Sequence, residues 1–260
     1  MSDGADIVDE IVERDGGGRT VARHTMVAGV LDGPSEMLDP ETGRTLARRN
    51  FRAGLLDGEC VTYDAAGIVV QRAQFKSGQL DGESLIYDDR GRLAQRLDFR
   101  AGQLDGELIA YDGAVIRTRI VYRAGVQEGL CRYFDEVGEL SGEAIYRAGK
   151  LNGPSTSYGR AGQVLRRANY VDDQLEGEVI EYHDNGQARE IATYRSNKLT
   201  GERKRFYPSG KVMEQARFKD GKPQGEPMLY DEDGNELKVG ADGKVEKPGL
   251  FKRIAAKLGG

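Results

Sequence analysis

Apolar and polar residues alternate over short stretches of this chain, and glycines interrupt the alternation at even intervals. Counting back from Phe99, the residues Leu97, Gln95 and Leu93 fall on one side of an extended strand. Asp98, Arg96 and Ala94 fall on the other. A period of two with one apolar side predicts an antiparallel strand with one covered and one solvated face. The preceding strand is expected to add Glu83, Leu85 and Tyr87 to the aromatic side. Segments between turn signals run about 5–8 residues, which is strand length. No window before residue 248 keeps a period of 3.6, so no helix is expected there.

The alternation itself recurs. An aromatic residue opens each unit: Phe51, Phe75, Phe99, Tyr122, Tyr146, Tyr170, Tyr194 and Phe218, spaced 24 residues apart except for one interval of 23. Each unit reads aromatic-x-x-Gly-x-Leu-Asp-Gly-Glu, then x-x-x-Tyr-Asp-x-x-Gly, most plainly in the units that open at Phe51 and Phe75. An earlier unit starts at Met26 with one extra residue before Gly43, and Arg14–Gly18 aligns with Tyr87–Gly91 as a half-unit. Leu-Asp-Gly and Asp-x-x-Gly are the two turn signals, because Gly and Asp adopt the conformations that tight turns require. The expected fold is all-β: an elongated, single-layer antiparallel meander of about nine 24-residue β-hairpins with a short C-terminal helix. The expected divisions are an N-terminal cap and half-repeat over 1–25, a repeat array over 26–240, and a tail over 241–260. The hairpin register expected from this pattern places Cys60 opposite Arg72 and Ser84 opposite Arg96.

The glycine-punctuated, tyrosine-rich unit resembles the MORN family (membrane occupation and recognition nexus), most closely its bacterial variant repeat with Tyr-x-x-Gly-x-Leu-x-Gly-Glu. The resemblance covers about residues 26–235. It differs from the better-known unit in lacking any Trp, and Asp173 and Asn197 replace the first turn glycine in two units. The resemblance implies a hairpin-repeat fold and an antitoxin or immunity-like role.

Composition narrows the chemistry. The chain has 260 residues and a net charge of −5, with 36 glycines, two cysteines and two histidines. The acidic balance gives no global reason to bind nucleic acid. Cys60 and Cys131, three units apart, form no disulfide framework, and His24 and His183 leave little for a zinc site. Asp231–Gly234 reads as a turn rather than a calcium loop, since the glycine comes too early. No nucleophile elbow, phosphate loop or metalloprotease motif is present. The expectation is a non-enzymatic protein with no catalytic residues, metal or cofactor, located in the cytoplasm or at the inner face of the membrane.

Candidate contact residues come from the exceptions to the repeat. Arg72, Arg96, Arg119 and Arg167 sit three residues before their aromatics and face away from them, an arginine stripe for an acidic partner or stems lying over the sheet. Arg132, Tyr133, Arg203 and Arg205 are bulky departures on first strands. The carboxylates of the turns, Asp57, Asp81 and Asp105 among them, are expected to pair with Arg52, Lys76 and Arg100 across the same turn. The tail carries Leu250, Phe251, Lys252, Arg253, Ile254, Lys257 and Leu258. Leu250, Ile254 and Leu258 recur every four residues beside cations, a short basic helix that serves as a cap or as a membrane anchor. The leading expectation is a scaffold that binds a protein, a cognate toxin that it occludes. The alternative is a membrane-associated scaffold that meets anionic lipid through the tail.

Overall fold

The computed structural model describes residues 8–239 and 245–246. All regular structure in them is β, in twenty-five strand segments from Val8–Arg14 to Val245–Glu246. This corrects the expectation of nine hairpins closed by a helix. No helix occurs among the described residues, and the tail residues 250–258 lie outside them. The strand count rises because four unit-opening strands are split in two, as in Leu55–Leu56 and Gly58–Tyr63. The half-repeat and the C-terminal segments add more. The chain divides into two compact units, Met1–Gly138 and Glu139–Gly260.

In the first unit each strand pairs antiparallel with the next along the sequence, as in Leu93–Arg100 with Gln103–Asp112. The turn between these two is Ala101-Gly102, with φ of 47° and 78°. Two consecutive left-handed residues make the hairpin turn whose twist matches its strands. Leu-Asp-Gly is therefore not a turn, as the sequence pattern implies, but a bulge inside the following strand. Leu104 pairs with Phe99 and Leu108 with Leu97, leaving Asp105, Gly106 and Glu107 against Asp98 alone. Gly106 has φ of 134°, and a Cβ there would lie 2.7 Å from the Asp98 Cβ, so only glycine fits.

The bulge also explains why Leu and Asp recur beside it. The Ala101 N–H donates to Asp81 Oδ2 at 3.0 Å, and the Gly102 N–H donates to the Leu80 carbonyl at 2.8 Å. Asp32 and Asp57 receive Ala53 and Ser77 in the same way, and Leu31 and Leu56 receive Gly54 and Gly78. Each tight turn is thus bonded to the bulge of the preceding repeat. The expected edge ion pairs are secondary: Arg52 lies 3.5 Å from Asp57 and Arg100 3.9 Å from Asp105.

At the opposite end of the hairpins the Asp-x-x-Gly turns bond within themselves. Asp88 Oδ1 accepts from the Arg90 and Arg92 N–H groups, and Gly91 N–H donates to the Asp88 carbonyl. The turn at Asp39 has one more residue and closes from Gly43 N–H to the Asp39 carbonyl. Next to this turn the register slips by one: Tyr87 pairs with Leu93, but Ile86 pairs with Gln95. A slip of one residue moves every later side chain to the other face. Hence Cys60 stands opposite Ala73 rather than Arg72, and Ser84 opposite Leu97 rather than Arg96. Glu83, Leu85 and Tyr87 accordingly share the face of Arg96, not that of Phe99.

The covered positions follow from this register. One face of the first unit carries Ser35, Ala73, Ser84, Leu97 and Cys131, all buried, with the opening aromatics beside them. The other face carries the tyrosines, with Val61 and Ile109 buried between arginine stems. Small residues predominate in the first column because large rings two positions away already fill the space above it.

The second unit uses the same devices. Its small-residue column runs through Ala144, Ser155, Ala168, Val179 and Ala192: Ser155 pairs with both Ala144 and Ala168, and Val179 pairs with Ala192. Two of its tight turns are Asp172-Asp173 and Ser196-Asn197, with φ between 47° and 67°. The side chains offset the lost glycine. Asp173 Oδ1 accepts from the Leu151 N–H at 2.8 Å, and Asn197 Oδ1 from the Leu175 N–H at 2.7 Å.

Candidate docking surfaces

The arginine column of the first unit lies on the tyrosine face, and the corrected register gives it acids. Arg23 and Arg48 both reach Glu36, at 3.4 and 3.3 Å. Arg72 reaches Glu59 at 3.3 Å, and Arg96 reaches Glu83 at 2.7 Å and Asp98 at 3.2 Å. Arg48 also lies over the Tyr63 ring at 5.9 Å. Glu36 is held below the usual carboxylate range by its hydrogen bond from Thr45 and by Arg48. Isolated exposed pairs of this kind contribute about 0–1 kcal/mol each. Over Arg23–Arg96 the column is therefore a mixed-charge lattice rather than a positive stripe. Further along, Arg119 and Arg132 are direct cross-strand neighbours and line a shallow cleft with Ile116, Phe134 and Val137. Tyr133 pairs with Thr118 and so projects from the opposite face.

In the second unit Arg167 lies on the tyrosine face, 6.0 Å from the Tyr182 ring centroid. Arg203 and Arg205 project from the other face and are brought together. Arg203 occupies the small-residue column, between Ala192 and Ala216, and these two alanines make room for it. Its guanidinium lies 5.0 Å from the Phe218 ring centroid and pairs with Glu214, while its Nε is buried with no hydrogen-bond partner. Arg205 stands between Glu190 and Glu214 on the flanking strands and bonds to both, at 2.9 and 3.4 Å. Arg205 is held above the usual guanidinium range, first by the Glu190 hydrogen bond. An open cleft adjoins this network, walled by Glu181, Arg189, Phe206, Tyr207, Pro208 and Met213. His183 at its margin bonds through Nε2 to the Phe206 carbonyl, which makes it a strut of the turn.

Sequence reasoning singled out the arginines and missed their carboxylates. Glu190 and Glu214 were legible as a pair: they lie one repeat apart, in a column where Gln71, Gln95 and Thr118 stand in earlier repeats. His24 bonds through Nδ1 to Ser35 Oγ at 2.8 Å and lies 3.6 Å from Glu13. Cys60 and Cys131 are free, and burial pushes the Cys60 thiol up. Asp231–Gly234 is a turn in which Asp231 Oδ1 accepts from the Asp233 and Asn235 N–H groups. Among the described residues no group of three metal-ligating side chains gathers, and no helix is long and apolar enough to cross a membrane.

Residues 175–196 and 199–220 match the MORN repeat variant family. Two of the hairpins therefore resemble MORN-type repeats. Both lie in the second unit, and the second match contains Arg203 and Arg205. No curated protein matches the chain. Among solved structures it is similar to a chain of the Photorhabdus luminescens Tc holotoxin pore, at 14% identity and a TM-score of 0.22 over 92% of its length. It is also similar to a chain of the TcdB2–TccC3–Cdc42 complex, at 11% identity and a TM-score of 0.18 over 94% of its length. The chain spans 14% and 15% of the length of those two chains.

Proposed function

We propose that this protein is a non-enzymatic, protein-binding repeat scaffold, and that its partner is a cognate bacterial toxin or effector which it neutralises by covering it. MORN repeats support the scaffold part of this reading. The antitoxin or immunity role follows the family resemblance. The observation that carries the reading is the Arg203–Glu214–Arg205–Glu190 network beside the open cleft. The consensus Leu, Asp and Gly positions are consumed by bonds between repeats, whereas these departures from consensus are held in place at the surface. Arginines with fixed geometry beside an apolar recess make effective interface anchors, since little side-chain freedom is lost when a partner arrives. Covering a toxin takes about 600–1,000 Å² from each side, which a few neighbouring hairpins supply.

The test is capture with the tagged full chain, identification of a stoichiometric partner, and growth rescue when the two are co-expressed. Arg205→Ala is expected to weaken that complex by about 2 kcal/mol while the chain stays folded, its melting temperature lowered by only a few degrees. A partner that is not toxic when expressed alone removes the antitoxin role and leaves the scaffold. Binding to anionic vesicles that vanishes on deleting residues 248–260, with no protein partner found, replaces this reading with the membrane-associated scaffold.

A further inference from the structure

The strand Val8–Arg14 differs from the other strands of the first unit. All seven of its residues are exposed, and among the described residues it pairs on one side only, with Thr20–Val27. Alternate residues of such a strand turn their N–H and C=O groups outward, where they are free to pair with another chain. Val8, Ile11 and Val12 are exposed apolar groups along it. A shallow cleft runs beside it, with Ile11, Val12 and Pro34 as its apolar lining and Glu10, Glu36 and Arg23 as its charged groups. No proline and no lysine protects this edge.

Its charges choose among occupants. Within the strand Asp9, Glu10 and Glu13 outnumber Arg14. Arg14 bonds to the Gly18 carbonyl, Arg23 of the paired strand is engaged by Glu36 at 3.4 Å, and Glu13 lies 3.6 Å from His24. A second copy pairing antiparallel with all seven residues in register about Ile11 would set Asp9 against Glu13 at both ends, and directly opposed like charges are destabilising. A segment with lysine or arginine at those places meets no such penalty. By strand parity Asp9, Ile11 and Glu13 share one face, and Val8, Glu10 and Val12 the other. On each face the complementary strand therefore alternates basic and β-branched residues. We infer that Val8–Arg14 is a docking edge for an extended, basic segment of a protein partner, which adds to the sheet as a further antiparallel strand. Backbone pairing supplies affinity, and the carboxylates with the adjacent cleft supply selectivity. This rests on the reading of the chain as a protein-binding scaffold and names one place where a partner is held.

The probe is a fluorescent, end-capped peptide Thr-Lys-Val-Ile-Lys-Lys-Val, written to oppose Arg14 back to Val8, titrated with the full 260-residue chain. Saturable binding is expected. It should weaken about tenfold or more in Glu10→Lys/Glu13→Lys, and it should disappear when alternate peptide nitrogens are methylated. Melting curves establish that the variant is folded. Equal binding by the methylated peptide, indifference to the charge reversal, or no saturation at millimolar peptide overturns the inference. Self-association of the free chain that charge reversal abolishes would assign the edge to a second copy and overturn it as well. If a natural partner binds the charge-reversed variant undiminished, this edge is wrong while the scaffold reading stands.

Discussion

The two ends of the hairpins are built on different principles. At one end the Ala101-Gly102 turn donates both its N–H groups to the previous repeat, to Asp81 and to the Leu80 carbonyl. At the other end Asp88 gathers the N–H groups of its own turn and bonds to nothing beyond it. Both ends use aspartate and glycine, and from sequence they look alike. At the first end the recurring Leu and Asp couple neighbours. At the other the recurring Asp closes its own loop, and links to the next turn come only from side chains that vary between repeats, such as Arg44 to the Ala65 carbonyl and His183 to that of Phe206. A repeat array gains cooperativity only from terms between units, so the first end should govern how far a local defect spreads.

Glycine substitutions break the comparison most sharply. Gly106→Ala drives a Cβ to 2.7 Å from that of Asp98 at a φ of 134°, and should cost about 2–3 kcal/mol. Gly67→Ala, in an Asp-x-x-Gly turn with open space around it, should cost about 1 kcal/mol for its left-handed backbone alone. Urea unfolding of the two variants gives the difference directly.

The next effect separates coupling from closure. Asp81→Ala and Asp88→Ala should each cost about 1 kcal/mol. Only the first should raise amide exchange in the following repeat, at Ala101 and Gly102. If both variants loosen only their own hairpins, the tight turns do not couple the repeats.

This distinction marks the limit of what the sequence shows. The 24-residue period, the antiparallel strands and the all-β character are legible because side chains must alternate and turns need Asp and Gly. Leu-Asp-Gly was misplaced as a turn because a bulge and a tight turn both ask for a left-handed glycine. The faces were inverted because one extra residue near Ala94 slips the register, and a periodic pattern shows strand parity but not a single slip. That slip decides the candidate site, since it puts Glu83 beside Arg96 and Glu59 beside Arg72. Arg203 and Arg205 were visible as departures from the repeat. Glu190 and Glu214 are visible as departures too, but only the register sets them opposite Arg205.

Acid should act mainly on the self-closed turns. Asp15, Asp39 and Asp88 are held below the usual carboxylate range, first by backbone N–H donors at Arg19, Thr42 and Arg92. Their folded-state values lie below the unfolded ones, so the stability they add is complete above the ordinary carboxylate pKa. It is lost as pH falls from about 4 through the lowered values. Melting temperature should therefore drop steeply below about pH 4. Asp88→Asn keeps an acceptor without the titration and should flatten that part of the curve.

The smallest effect tests how the second unit tolerates its missing glycines. Asn197→Gly relieves a left-handed side-chain position but removes the bond from the Leu175 N–H. The two changes should offset to within about 0.5 kcal/mol. A loss well beyond that would show that the side-chain bond matters more than the backbone it excuses.

In the first unit the bonds from the tight turns at Ala53, Ser77 and Ala101 to the preceding Leu-Asp-Gly also run one way along the chain. A repeat supplies acceptors to its successor and takes them from its predecessor. Of these first-unit bonds, removing the following repeat leaves only acceptors idle, and water satisfies an exposed carboxylate at little cost. Removing the preceding repeat strips the next turn of its template and leaves two left-handed residues without the groups that hold them. A chain emerging from the ribosome meets these requirements in the favourable order, each hairpin closing against one already made.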